Sequence, residues 1–328
     1  MYLEHWGLHQ PPFRITPDIS QFYEGALRGP ILDAVEYAIL QGEGIVKVSG
    51  EVGSGKTMLC RVLEERLSDR VEIVYLGNPS LSPVEVLRAI AFEMKLGVPA
   101  KASHLELIHH LQEALLERHA QGKQVVVFIE EAQNMSLETL EEIRLLSNLE
   151  TGTRKLLQMV LFGQPELDAN LSRPEIRQLR ERITHSFRLE PFTLEEVKEY
   201  LQFRMAKSGY RGPDVFSARA VKAIARGSKG LARRVSILAD KSLMAAFTDG
   251  SHVVKAGHVA YALDDSEFGK PGRHAGRRRF FRPVILGGLL LGVILVVAVG
   301  YVELYGEGVA GLFTDPVVAT ESVLEGER

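Results

Sequence analysis

The chain has 328 residues, 45% of them hydrophobic, and its 39 Lys and Arg against 42 Asp and Glu leave a net charge of -3. That composition excludes a disordered chain and gives no global signal for a nucleic-acid binder, although a local basic patch is compatible with a near-neutral total. The single cysteine, Cys60, excludes an intrachain disulfide and reads as a small buried residue. Glu4, His5 and His9 stand where a secretory leader would be apolar, so no cleavable signal is expected.

In chain order, β-rich runs are expected at 44–49, 71–76, 124–129, 156–162 and 185–189, with helical patterns between them. Such alternation predicts a parallel sheet covered by helices on both faces. The first run leads into Gly50-Glu51-Val52-Gly53-Ser54-Gly55-Lys56-Thr57, a complete GxxxxGK[ST] motif that opens a helix continuing with Met58. Its glycines turn successive backbone N–H groups toward phosphate oxygens, Lys56 reaches the β- and γ-phosphates, and the Thr57 hydroxyl binds Mg²⁺. The residues 50–58 are therefore the expected ATP/ADP-binding set.

The third run ends in Glu130-Glu131, where a P-loop NTPase needs an acid to orient Mg²⁺ and a base to polarise water. Glu130 is the expected metal ligand in place of the usual Asp, and Glu131 the expected base. The fourth run ends in Gly163-Gln164-Pro165, placing the Gln164 amide where it can position the water. Before the fifth run, Arg182, and second Arg180, are candidates to reach a neighbouring subunit's nucleotide; a surface arginine pairing with Glu181 is the competing reading. From residue 192 the β-runs stop. Thr193 with Glu196 forms a capping box, Ser217 caps the next helix, and Gly227 and Gly230 bracket the break before a long helix over 231–247. Arg233, near its start, is expected to lay a guanidinium on the nucleotide and couple it to the position of a helical lid.

The organisation read this way is an α/β nucleotide-binding domain over 1–191, a helical lid over 192–265, a basic linker over 266–282, a transmembrane helix over 283–302 and a short periplasmic tail over 303–328. The 283–302 stretch has no charged residue, and 20 residues at about 1.5 Å each reach the thickness of a hydrocarbon core. Lys270, Arg273, Arg277, Arg278, Arg279 and Arg282 precede it, which predicts a single-pass inner-membrane protein with its N-terminal part in the cytoplasm.

Together these residues resemble the AAA+ ATPases of the ExeA/GspA type, and within them the MshM group associated with the mannose-sensitive haemagglutinin type IV pilus. The resemblance rests on 1–8 with Pro12-Phe13 and Thr16-Pro17-Asp18, on 50–57, on Glu130-Glu131-Ala132-Gln133, on Gly163-Gln164-Pro165-Glu166-Leu167 and on 230–233, about the first 265 residues. It implies an α/β AAA+ P-loop NTPase with sheet order 5-1-4-3-2 and a lid, a hexameric ring or partial ring with nucleotide at subunit interfaces, and Phe13 near the adenine. It also implies pilus or secretion-system proteins as partners. Glu130 in place of Asp bears on hydrolysis more than on binding. The 26-residue tail is too short for the peptidoglycan-binding domain of ExeA-like proteins. Competing readings are a slow ATP-dependent binding switch and a DNA-transposition helper; nucleic acid is not an expected partner, because the core lacks an aromatic-interleaved basic patch.

Overall fold

The computed structural model describes residues 1–266 except Glu43 and Thr153. The expected transmembrane helix over 283–302, most of the linker and the tail lie outside the described residues, among which no helix is long and apolar enough to cross a membrane.

Five strands, β1 (Ile45–Gly50), β2 (Val71–Leu76), β3 (Gln124–Ile129), β4 (Leu157–Gly163) and β5 (Ile183–Leu189), form one parallel sheet in the order β2-β3-β4-β1-β5. This is the expected 5-1-4-3-2 order read from its other edge. The helices are α1 (Tyr2–His5), α2 (Arg28–Gln41), α3 (Lys56–Leu67), α4 (Pro83–Glu93), α5 (His104–Ala120), α6 (Leu137–Leu146), α7 (Pro165–Leu171) and α8 (Arg177–Arg180), then the lid helices α9 (Leu194–Lys207), α10 (Ala218–Ser228), α11 (Ala232–Thr248) and α12 (Ala256–Asp264).

Successive side chains of a strand point to opposite faces, and the central strands are apolar at both parities. Val125, Val127 and Ile129 of β3, with Leu157, Met159 and Leu161 of β4, pack under α4, α5 and α6. Val126, Phe128, Val160 and Phe162 pack on the opposite face under α2 and α3. The outer strand β5 instead alternates exposed Thr184, Ser186 and Arg188 with partly buried Ile183 and Phe187, a polar edge that discourages further pairing.

The lid has its own core, with Val197 and Leu201 from α9, Ile224 from α10, and Val235 and Leu238 from α11. Trp6, Leu8 and Phe13 are buried in that core too, so the first residues pack with the lid and not with the sheet to which the 1–191 boundary assigned them. Buried Arg204 fixes them: its Nε donates to the Pro12 carbonyl (2.7 Å) and its Nη1 to the Tyr200 hydroxyl (2.7 Å).

Candidate nucleotide site

Because β1, β3 and β4 are parallel neighbours, their C-terminal ends share one edge of the sheet, where ligands bind in open α/β folds. The loop after β1, the two glutamates after β3 and Gln164 after β4 therefore converge, although 114 positions separate the first of them from the last. Beside them is a cavity of about 500 Å³ lined by 52–59, Glu131, Arg233 and a stretch from the N-terminal segment, and Glu130 and Gln164 join its wall through their bonds to Thr57 and Glu131.

The loop has the geometry that its glycines predict. Gly53 sits at φ +79, and a Cβ there would lie 2.9 Å from Arg233 Cβ. Only glycine meets both the left-handed backbone and the close approach of the lid. Lys56 is buried and its ammonium donates to the carbonyls of Gly50 (2.7 Å) and Glu51 (3.1 Å). Burial pushes the Lys56 pKa below the ordinary lysine value, and the negative charges of Glu131, Glu51, Glu130 and Glu166 oppose the shift. Ser54 is fully buried and its Oγ has no hydrogen-bond partner. Val52 and Met58 lie on the cavity wall.

Glu130 is 8% exposed. Its Oε2 accepts from the Thr57 hydroxyl at 3.0 Å, while its Oε1 is buried without a partner. A carboxylate with one unpaired oxygen beside a hydroxyl is a hard-oxygen donor set that suits Mg²⁺, an ion that keeps several waters and takes one or two protein oxygens beside substrate phosphates. Thr57 and Glu130 fit the metal that the fold implies. Among the described residues no group of three or more His, Cys, Asp and Glu side chains is arranged to hold a metal by itself.

Glu131 occupies a left-handed backbone conformation (φ 51), a strained position for a side-chain-bearing residue and a feature concentrated at active sites. Two carboxamides hold its Oε2: Gln133 Nε2 donates at 2.7 Å and Gln164 Nε2 at 2.9 Å. Gln133 also accepts from the Gln164 backbone N–H (2.9 Å), tying the end of β3 to the end of β4. Burial raises the Glu131 pKa, but these two hydrogen bonds and the Lys56 charge outweigh it, leaving the carboxyl below its usual value. Glu131 is thus a carboxylate at neutral pH, able to accept a proton from water. Gln133 was not among the sequence candidates for the site, although it stands two residues after Glu131 in the Glu130-Glu131-Ala132-Gln133 stretch that carries the resemblance.

Arg233 begins α11 beside the loop, and its backbone N–H donates to the Gly53 carbonyl at 3.0 Å. The lid is hydrogen-bonded to the phosphate loop itself. A second arginine, absent from the sequence candidates, joins the same wall. Arg28 is buried and lies 3.9 Å over the Phe192 ring, with Nη2 donating to the carbonyls of Ser54 (3.0 Å) and Glu190 (3.4 Å). Burial lowers its pKa to about 10, with Glu196, Tyr200 and Tyr23 acting against the shift. Nothing local in the sequence marks it, since its partners are 26 and 162 positions away.

Phe13, Arg180 and Arg182 stand apart both from this cavity and from the residues bonded to its wall. Phe13 is 2% exposed inside the lid core, edge-on to Phe216, and the wall is formed by its successors 14–17 instead. The cause is the packing of the apolar ring with the lid, which leaves the following backbone to face the cavity. Arg180 and Arg182 precede β5, at the sheet edge opposite the phosphate loop, so neither reaches the cavity of its own chain. Glu181 pairs with Arg177 one helical turn earlier (2.8 Å), and not with either of them.

An AAA domain family matches residues 39–171. The chain is 39% identical over 262 residues to general secretion pathway protein A of Aeromonas hydrophila, covering 80% of this chain and 48% of that protein. It is 29% identical over 171 residues to the ATP-dependent target DNA activator B of Escherichia phage Mu, covering 52% of this chain and 50% of that protein. The chain spans about half the length of the curated relatives it matches. Among solved structures, Cdc6p from Pyrobaculum aerophilum shares the fold with a TM-score of 0.60 at 19% identity, covering 76% of this chain and 71% of that one.

Proposed function

The chain carries an AAA domain on an α/β P-loop fold and is similar to general secretion pathway protein A, and from that premise we propose that it binds ATP with Mg²⁺ and hydrolyses it to assist an envelope machine. The observation that carries the ATPase reading is a cavity walled by Lys56, Thr57 and Glu131, with Glu130 bonded to Thr57, Gln164 bonded to Glu131 and the lid bonded to the loop. Lys56 draws the phosphates, and Thr57 with Glu130 would hold Mg²⁺, which when bound neutralises charge on the phosphate oxygens. Glu131, oriented by Gln133 and Gln164, takes the proton of the attacking water.

The test is turnover and nucleotide binding in two variants. Lys56→Ala should lose tight ATP binding, whereas Glu131→Gln should bind ATP and retain it with turnover reduced at least about 100-fold, the scale of general-base catalysis. Undiminished turnover in both variants excludes the assignment.

The finer reading is an ATPase tethered to the inner membrane by residues 283–302, with the described part in the cytoplasm. It assembles as a hexameric or partial ring and serves type II secretion or an MSHA-like type IV pilus in the manner of the MshM group. What supports it is the charge-free apolar stretch behind a basic run, together with the similarity to a general secretion pathway protein. Tethering would raise the effective concentration of subunits in the membrane plane and favour delivery of Arg182 to a neighbour's nucleotide. Membrane fractionation with and without residues 283–328 tests the anchor.

One observation favours a second reading. Arg219, Lys222, Arg226 and Lys229 recur at helical spacing and are all exposed at α10, a basic stripe about 15 Å long of the kind that binds a phosphate backbone. The phage Mu relative is named a target DNA activator. Salt-sensitive DNA binding that is lost when these four residues are changed to glutamate would support that alternative; binding that is absent at low salt removes it.

A further inference from the structure

The cavity wall outside the phosphate loop carries a polar group that phosphate chemistry does not use. Gln21 closes a short 3₁₀ turn, Ile19–Gln21, whose first residue is preceded by the N-cap Asp18. Asp18 fixes the turn through its carboxylate, which accepts from Ser20 N (3.0 Å), and through its carbonyl, which accepts from Gln21 N (2.9 Å). The Gln21 side chain is 4% exposed and lines the cavity, yet its Oε1 has no hydrogen-bond partner. Buried carbonyl oxygens are nearly always paired, and one without a donor is destabilising until a donor arrives.

The polyphosphate tail cannot supply that donor, because its oxygens are acceptors at neutral pH and the loop over 50–57 determines where they lie. The adenosine end can. Phe22, Tyr23, Phe192 and Tyr200 line the same cavity and give flat, largely apolar walls suited to a base. We propose that Gln21 reads the base, with its side-chain carbonyl accepting a hydrogen bond from the exocyclic amine of adenine. This rests on the nucleotide-binding reading of the site. The terminal torsion of a glutamine is broad and roughly two-fold, so the oxygen can turn onto an incoming amine without moving the turn that carries it.

The experiment measures binding of the full chain to ATP, to 2′-deoxy-ATP and to purine riboside triphosphate, which has hydrogen in place of the amine. Wild type should bind ATP about tenfold more tightly than purine riboside triphosphate, the worth of one buried hydrogen bond, and 2′-deoxy-ATP as well as ATP. Gln21→Met, of similar length and without the acceptor, should bind ATP and purine riboside triphosphate alike, with Gln21→Ala as the second variant should the methionine protein not fold. A wild-type ratio near one, the same ratio in wild type and variant, or a penalty that follows the ribose hydroxyl each overturns the proposal. Absence of binding by every triphosphate, or binding undiminished in Lys56→Ala, overturns the nucleotide reading beneath it instead.

Discussion

Replacing Gly230 by alanine should destabilise the junction between sheet domain and lid by about 2–5 kcal/mol, assembled from the two terms that follow. Gly230 lies at φ +72, and a Cβ built on it would stand 2.2 Å from the Phe192 carbonyl oxygen and 2.9 Å from the Phe192 nitrogen. An L-residue in the left-handed region costs roughly 1–2 kcal/mol. The obstruction is backbone, so no rotamer relieves it, and the chain must open where Phe192 N–H donates to the Gly230 carbonyl at 2.8 Å. Leaving that pair unmade costs about 1–3 kcal/mol more. Phe192 also carries the Arg28 guanidinium on its face, and Arg233 follows three residues later, so the same change should weaken nucleotide binding as well. The assay is urea unfolding followed by the fluorescence of Trp6, the single tryptophan and a residue buried in the lid core. A Gly230→Ala protein with the wild-type midpoint and wild-type ATP affinity would refute the account of this junction.

Other changes probe other parts of the molecule. If Arg182 acts across a subunit boundary, Arg182→Ala and Lys56→Ala proteins should each be inactive alone and recover part of the wild-type turnover on mixing, because a composite site then has an intact loop and an intact arginine; no recovery at any ratio argues against action in trans. Arg204→Leu removes the bonds to the Pro12 carbonyl and the Tyr200 hydroxyl, and should cost about 3–6 kcal/mol for two charge-assisted hydrogen bonds, with early exposure of Trp6 and of the first residues to protease; unchanged protection would show that the apolar contacts suffice. Burial raises the Asp240 pKa above 3.8, partly offset by the Tyr2 hydroxyl bond. Its protonated form therefore favours the fold at low pH, and that contribution is lost as pH rises through the folded value. Asp240→Asn should accordingly be more stable than wild type at pH 7 and lose most of that advantage near pH 4, in urea curves at both values. An advantage independent of pH would point to packing and not to charge.

The sequence by itself determined the elements and marked the residues from which the chemistry is expected. A short β-branched apolar run such as Val125-Val126-Val127-Phe128-Ile129 reads as a strand buried on both faces, and 50–57 between a β-rich run and a helix reads as a phosphate loop, since both signals are local. Parallel strands then oblige the ends of β1, β3 and β4 to meet, which is why Glu131 and Gln164 were both expected beside one water, while their hydrogen bond to each other was not. The tertiary structure alone decided the rest, and in each case the reason is a contact between residues far apart in the chain. Phe13 was drawn into the lid core by the apolar surface of Phe216, while Arg28 met Ser54 and Phe192 only after three segments had packed. Gln133 became a bridge because Gln164, 31 positions on, lay across from it. Side-chain period and turn chemistry are properties of neighbours and can be read in a line of letters. Desolvation and the pairing of buried polar groups depend on the enclosing surface, which the chain acquires by folding.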